Sequence, residues 1–297
     1  LNAHDRAAAV PYLQQAVDYY AQLPGEETAH LQQLSLLANA SRDPALRERF
    51  LELAEPHVAY LQAQSPVDWG KIGFLLSDMG FCLVRLDRVE EAIPYFERAL
   101  SAYRQMPGPT PANMTAAQLN LAASLHRAGR LDEAAQAFEQ SVALTRRTQG
   151  ASLNLATTLR SYAILLIKLG RVDEALPMLA ETEALASRFD GEASSLRFLA
   201  RNARVRAMVT QGQYPDAIAY ARETITLVEA LRAEDVASVG SSHYEVANAL
   251  AADGQTETAL TVLSESDRIF EGLGERRALA MKRNNALRAQ LEEREPQ

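Results

Sequence analysis

The residues that could carry chemistry in this sequence are few. Five histidines stand at His4, His30, His57, His126 and His243, and one cysteine at Cys82. No two histidines have the i, i+4 spacing that sets two imidazoles on one helix face around a metal, and none adjoins the cysteine. No glycine-rich phosphate loop and no nucleophile elbow occurs. Acidic pairs such as Glu90-Glu91 and Asp132-Glu133 recur at the starts of helical stretches, where negative charge suits the helix dipole. His126 is the single candidate acid or base, and a satisfied or solvated imidazole is the stronger reading of it. Cys82 follows Phe81 inside an apolar helical run, which suits a small packing residue better than a reactive thiol. These residues predict a protein that is not an enzyme, with no catalytic residue, no metal and no cofactor.

Binding chemistry is more visible. In LRFLARNARVRAMVTQG, Arg197, Arg201 and Arg204 lie at i, i+4 and i+7, on one helix face, and form a candidate anion patch. Against its neighbours, this stretch puts Arg201 and Arg204 where other stretches have Leu159 and Tyr162. Either guanidinium groups replace core packing, or the register drifts and leaves the arginines exposed. Leu196, Leu199, Ala200, Ala203 and Ala207 supply an alternative apolar face, so drift is the expectation.

The elements that must position these side chains repeat. LVRLDRVEEAIPYFERALSAY, over 83–103, recurs in RAGRLDEAAQAFEQSVAL, KLGRVDEALPMLAETEAL, TQGQYPDAIAYARETITL and ADGQTETALTVLSESDRI. Its anchors Asp87, Gly129, Gly170, Gly212 and Gly254 are 42, 41, 42 and 42 residues apart. A fixed period in this range marks a stacked repeat protein, so the 297 residues need not divide into separate cores. A second set of breaks, at Pro24-Gly25, Ser65-Pro66, Pro107-Gly108-Pro109, Gln149-Gly150, Asp190-Gly191, around Ala233 and at Gly272 to Gly274, divides each unit into two helices. Glycine serves there because the chain must take positive φ without a Cβ. The expected division is a leading half-unit over 5–25, a degenerate unit over 27–65, and units over 67–107, 110–149, 151–190, 193–232 and 235–272. A polar capping helix over 274–295 follows, in one continuous array over 1–297.

Small residues mark a seam. Gly80, Ala122, Ala163 and Ala247 lie seven residues before their turns, and Ala92, Ala134, Ala175, Ala217 and Ala259 five after. Facing small side chains let two helices approach closely, while Leu76, Leu83, Phe96, Leu121, Leu125, Phe138, Leu159, Leu166 and Leu263 fill the space around them. Pro11, Pro94 and Pro177 recur a few residues into the second helix, as a repeated bend. Asp43-Pro44 supplies an N-cap and a first-turn proline for the degenerate unit.

Composition narrows the partners. The formal charge of −8 lacks the basic footprint of a nucleic-acid or membrane-surface binder. No apolar run approaches the length of a membrane-spanning helix, about 18 residues, and a lone cysteine favours a reducing compartment, here the cytoplasm. The chain starts at Leu1 and opens on half a unit, so a longer parent is the expectation. Self-association through that half-unit, Pro11 to Leu23, is a further one.

The small residue, turn glycine, acidic stretch, alanine, aromatic and small residue resemble the tetratricopeptide repeat. These positions hold Gly80, Asp87, Glu90, Ala92, Phe96 and Ala99 in one unit and Ala122, Gly129, Asp132, Ala134, Phe138 and Ser141 in the next. The length of these units is similar to those of kinesin light chains and of bacterial signalling proteins, including transcription regulators, peptide-responsive regulators and kinases. The resemblance implies an all-α superhelical solenoid that binds a protein or peptide along a concave groove lined by first helices. Carried over by position, the groove holds Phe74, Ser77 and Phe81, then Asn120, Ala123, His126 and Arg127. Arg160, Ile164 and Lys168 follow, then Asn202 and Arg206, then Tyr244 and Asn248. Its basic residues suit an acidic or phosphorylated segment. The carboxylate clamp of chaperone-binding members is not expected, because its positions hold Ser77 with Phe81 and Leu119 with Ala123. Two functions are consistent with the resemblance: a non-enzymatic binding scaffold, and the ligand- or peptide-sensing region of a larger regulator or kinase.

Overall fold

The computed structural model describes residues 3–41, 43–108, 112–189, 194–230, 236–271 and 275–293. The described elements are α-helices, and the chain divides into two compact units, 1–148 and 149–297. In the first unit α1 (Ala3–Tyr20), α2 (Glu27–Ser41), α3 (Pro44–Gln62), α4 (Trp69–Arg85), α5 (Val89–Gln105), α6 (Ala112–Arg127) and α7 (Leu131–Gln149) follow in order. In the second come α8 (Leu153–Lys168), α9 (Val172–Ser187), α10 (Ser194–Thr210), α11 (Tyr214–Ala230), α12 (Val236–Ala252), α13 (Thr256–Phe270) and α14 (Glu275–Glu292).

The helix ends are where the turn residues put them. Gly129, Gly170, Gly212 and Gly254 all have φ between 75° and 82°, and Asp87 adopts φ 63° in the same place. Each ends its helix with paired backbone bonds. Arg130 N–H donates to Leu125 C=O (3.0 Å) and Gly129 N–H to His126 C=O (3.2 Å), and equivalent pairs close α4, α8, α10 and α12. This arrangement satisfies carbonyls that a helix end otherwise leaves open. The next helix starts with a recurrent clamp that the acidic pairs only half announce. Arg88, Arg130 and Arg171 each grip the carboxylate three residues on, Glu91, Glu133 and Glu174, with two bonds of 2.6–2.7 Å. Asp43 caps α3 by accepting from Ala45 N–H at 2.9 Å, with Pro44 at the first position.

Within each unit the first helix of every pair touches the first helices beside it. α4 packs on α2 and α6, and α10 packs on α8 and α12. α14 joins this layer, packing on α12 and α13 with Asn284, Leu287 and Leu291 buried. The expected seam is the core. The named alanines before and after the turns are fully buried, and the leucines and phenylalanines around them are buried too. Gly80 shows why the seam must be small: a Cβ there would lie 2.8 Å from the Phe96 ring. Pro11, Pro94 and Pro177, with Pro56, lie inside helices that continue through them. The breaks expected at Asp190-Gly191, Ala233 and Gly272 to Gly274, and the side chains of His4, Arg276 and Arg277, fall outside the described residues. None of the described helices is long and apolar enough to cross a membrane.

The expected register drift in α10 does not occur. Arg201 is only 12% exposed and Leu199 is 42% exposed; of the alternative apolar face Ala200, Ala203 and Ala207 are buried, but its two leucines are not. Arg201 Nε donates to Thr224 Oγ1 on α11 (2.8 Å), and its Nη1 lies 3.4 Å from Glu183 on α9. Tyr220 O–H donates to both Glu183 oxygens at 2.6 and 2.7 Å. The Arg201 and Arg204 guanidiniums sit 4.0 and 4.8 Å from the Tyr220 ring centre. Guanidinium groups thus replace apolar packing where two second helices supply a carboxylate, a hydroxyl and a ring. Of the candidate anion patch, Arg201 and Arg204 are held on Glu183 by internal ion pairs, and Arg197 is partly buried.

Candidate functional site

The groove residues expected from the sequence fall on first helices of both units. In the first unit, Phe74, Ser77 and Phe81 of α4 and Asn120 of α6 line one cavity of about 270 Å³, which Asn39 of α2 also faces. Asp78, which sequence reasoning passed over, lies in the same wall. Ser35 Oγ–H donates to its Oδ2 at 2.6 Å. Burial pushes the Asp78 carboxyl up to about 6, against the opposing effect of that hydrogen bond. Ala123 and His126 are partly buried on the same helix as Asn120. Arg127 is occupied elsewhere: its Nη2 meets Asp87 at 2.9 Å, and its Nη1 donates to the Val84 carbonyl. Cys82 is fully buried and its thiol is pushed up to about 12, first by burial and then by Asp78, which leaves it inert as a nucleophile at neutral pH.

The second unit gathers charge. Arg206 of α10 donates from Nη1 to Glu245 Oε1 of α12 at 2.8 Å. Glu245 is 1% exposed, and burial pushes its carboxyl up against the pull of Arg206 and Arg283. The Arg283 guanidinium of α14 lies 3.7 Å from the centre of the Tyr244 ring. Arg160 of α8 is held below the usual arginine value, first by burial and then by Arg206. Among the described residues, Arg160 Nε, Arg283 Nε and Nη2, and Glu245 Oε2 are buried without a hydrogen-bond partner. Arg206 and Arg283 therefore share one carboxylate, and Arg160 stands beside Arg206. Arg283 also borders a cavity of about 440 Å³ with Leu279 and Phe270. Ile164 and Asn248 are partly buried and Lys168 is exposed on this face. Asn202 turns inward instead: it is buried, and its Oδ1 accepts from Ser242 Oγ at 3.2 Å.

Sequence reasoning missed Glu245 and Asp78, and read Arg283 only as one charge of a terminal helix that suits a polar cap or a basic docking strip. A signal for the two missed residues was present: Asp78 and Glu245 both lie nine residues before their turn anchors, at the position held by Asn120. Nothing comparable marked Arg283, whose helix reads as a polar cap. Among the described residues, no group of histidine, cysteine and carboxylate side chains is arranged to hold a metal ion.

Known proteins match this architecture. The tetratricopeptide repeat family model matches residues 72–147 and 113–188. No curated protein matches the sequence. BtubC (BKLC) from P. vanneervenii is similar over 79% of this chain and 92% of its own, at 18% identity and TM-score 0.63. The apo quorum sensor NprR from B. thuringiensis covers 97% of this chain and 80% of its own, at 15% identity and TM-score 0.66. Aspartyl phosphate phosphatase F from Bacillus subtilis covers 96% and 76%, at 14% identity and TM-score 0.65. Helical repeats of this type are typical of protein-binding scaffolds. The tetratricopeptide repeat model thus covers residues 72–188, and the chain has an all-α, helical-hairpin fold of the solenoid type.

Proposed function

We propose that this protein is a binding scaffold whose first-helix face in residues 149–297 takes an acidic or phosphorylated segment of a protein or peptide partner. The observation that carries this reading is the set of buried, partnerless N–H groups on Arg160 and Arg283 beside the Arg206–Glu245 pair. A buried donor without an acceptor is costly, and a guanidinium meets a carboxylate or phosphate through two parallel bonds. An incoming acidic segment satisfies those donors and offsets the positive charge left at Arg160 and Arg283 beside the Arg206–Glu245 pair. The cavity beside Leu279 and Phe270 accepts an apolar neighbour of that anion.

The test is fluorescence anisotropy of a labelled acidic peptide against its glutamine-substituted counterpart, on the parent and on Arg160→Gln with Arg283→Gln. The acidic peptide should bind the parent, with the double variant weakened about tenfold or more. Equal binding of both peptides, or equal binding by both proteins, overturns the reading. Arg206 is left intact because it neutralises Glu245.

A second reading makes the same face the sensing site of a larger signalling protein. It is favoured by the overlap with NprR, named a quorum sensor, over 97% of this chain. Hydrogen exchange separates the two. A sensor slows exchange in helices beyond those the peptide touches, whereas a scaffold protects only α8, α10, α12 and α14.

A further inference from the structure

We propose that the cavity between α2, α4 and α6 is a binding site for a primary ammonium group, with Asp78 as its counter-charge and Phe74 and Phe81 as its walls. The site shares no residue with the acidic-segment face proposed above. It rests on three observations. Asp78 lines the cavity, and none of the ion pairs among the described residues involves it. The charge left there is negative, in a wall whose other polar members are neutral amides and hydroxyls.

The second observation is Asn39. It faces the same cavity, and its Oδ1 is buried with no hydrogen-bond partner among the described residues. An ammonium has three N–H donors, so it can meet the Asp78 carboxylate and the Asn39 carbonyl together. Ser35 does not compete for that role, since its hydroxyl already donates to Asp78 Oδ2.

The third observation is aromatic. Phe74 and Phe81 lie in the same wall, seven residues apart on one face of α4. Ring faces attract a cation and also cover the methylene stem behind it. A neutral apolar ligand would use the rings and leave the acid and the amide without a partner. An anionic ligand would be repelled by Asp78. A cavity of about 270 Å³ has room for one alkylammonium side chain or one chain terminus, and both present the same chemistry.

The experiment uses the full chain and three small probes, read by ligand-observed NMR titration at pH 7.5. N-acetyl-lysine N-methylamide carries a side-chain ammonium, alanine N-methylamide an α-ammonium, and N-acetyl-norleucine N-methylamide keeps the four-carbon stem of the first without its ammonium. At least one ammonium probe should bind about tenfold more tightly than the neutral one. The tighter of the two tells whether a lysine side chain or a chain terminus is the natural occupant. Asp78→Asn, which keeps an acceptor for Ser35, should erase the preference. Phe81→Leu, which keeps the wall apolar, should weaken the ammonium probes about threefold and leave the neutral one unchanged. Equal affinity of all three probes, no binding of either ammonium, or a preference that survives Asp78→Asn overturns the proposal.

Discussion

Asp78→Asn should make the protein more stable at neutral pH, and the gain should vanish in acid. Burial raises the Asp78 carboxyl from 3.8 to about 6. The fold therefore prefers the protonated acid. The stability tied to that preference is fully present below about pH 4 and is lost as the pH rises through about 6. Each tenfold difference in proton affinity is worth about 1.4 kcal/mol, so a gap of roughly two pH units amounts to about 3 kcal/mol. Asparagine has the same shape, accepts the same Ser35 hydrogen bond and never ionises. Urea unfolding of parent and variant, followed by circular dichroism from pH 3.5 to 7.5, isolates the effect, because every other carboxylate contributes equally to both. The difference should be close to zero at pH 3.5 and rise to about 3 kcal/mol in favour of asparagine by pH 7. The neighbours do not imitate this profile. Ser35, Asn39, Asn113 and Asn120 do not titrate, Tyr103 is raised above the ordinary tyrosine value, and Cys82 is pushed up to about 12. A difference that stays flat across the range would refute the reasoning, as would a variant less stable than the parent at pH 7. If the expected profile holds, the carboxylate is a cost to folding that an occupant of the cavity offsets.

Other expectations follow from the packing and the charges. Arg206→Gln should cost about 3 kcal/mol at pH 7, because it leaves Glu245 buried without its partner, and the loss should shrink as acid protonates that carboxyl. Arg160→Gln, read in the same melts, should cost far less. Arg201→Ala should destabilise by about 3 kcal/mol in chemical unfolding, since it opens the buried network around Glu183; an unchanged midpoint would restore the drifted register. Ala134→Leu and Ala175→Leu should each lower the melting temperature through overpacking of about 1–3 kcal/mol. Gly212→Ala, at φ 75°, should cost about 1 kcal/mol from backbone strain alone, because its missing Cβ would meet no atom.

What the sequence determined by itself is local. A helix end needs a residue tolerant of positive φ, so the anchors from Asp87 to Gly254 mark the turns without reference to the rest of the fold. Close helix approach needs small side chains, so the alanines five residues after each anchor mark the seam. Both rules act over a few residues and repeat, and the repetition made them legible. The placement of the expected groove positions on first helices was legible for the same reason, because the turns set the register.

The fate of each charge was decided by tertiary structure. Arg201 and Leu199 compete for the core side of α10, and helical periodicity favours the leucine. The arginine takes the place because Glu183, Tyr220 and Thr224 arrive from α9 and α11 to pair it. Asn202 and Arg127 hold groove positions in the alignment, yet Ser242 and Asp87 draw them into internal bonds. Arg283 reads as one charge on a polar cap, and it joins the basic cluster only because α14 packs as a further first helix beside α12. A charged side chain can be buried when distant residues supply its counter-charge and hydrogen bonds. That supply depends on long-range packing, which helical periodicity alone does not specify.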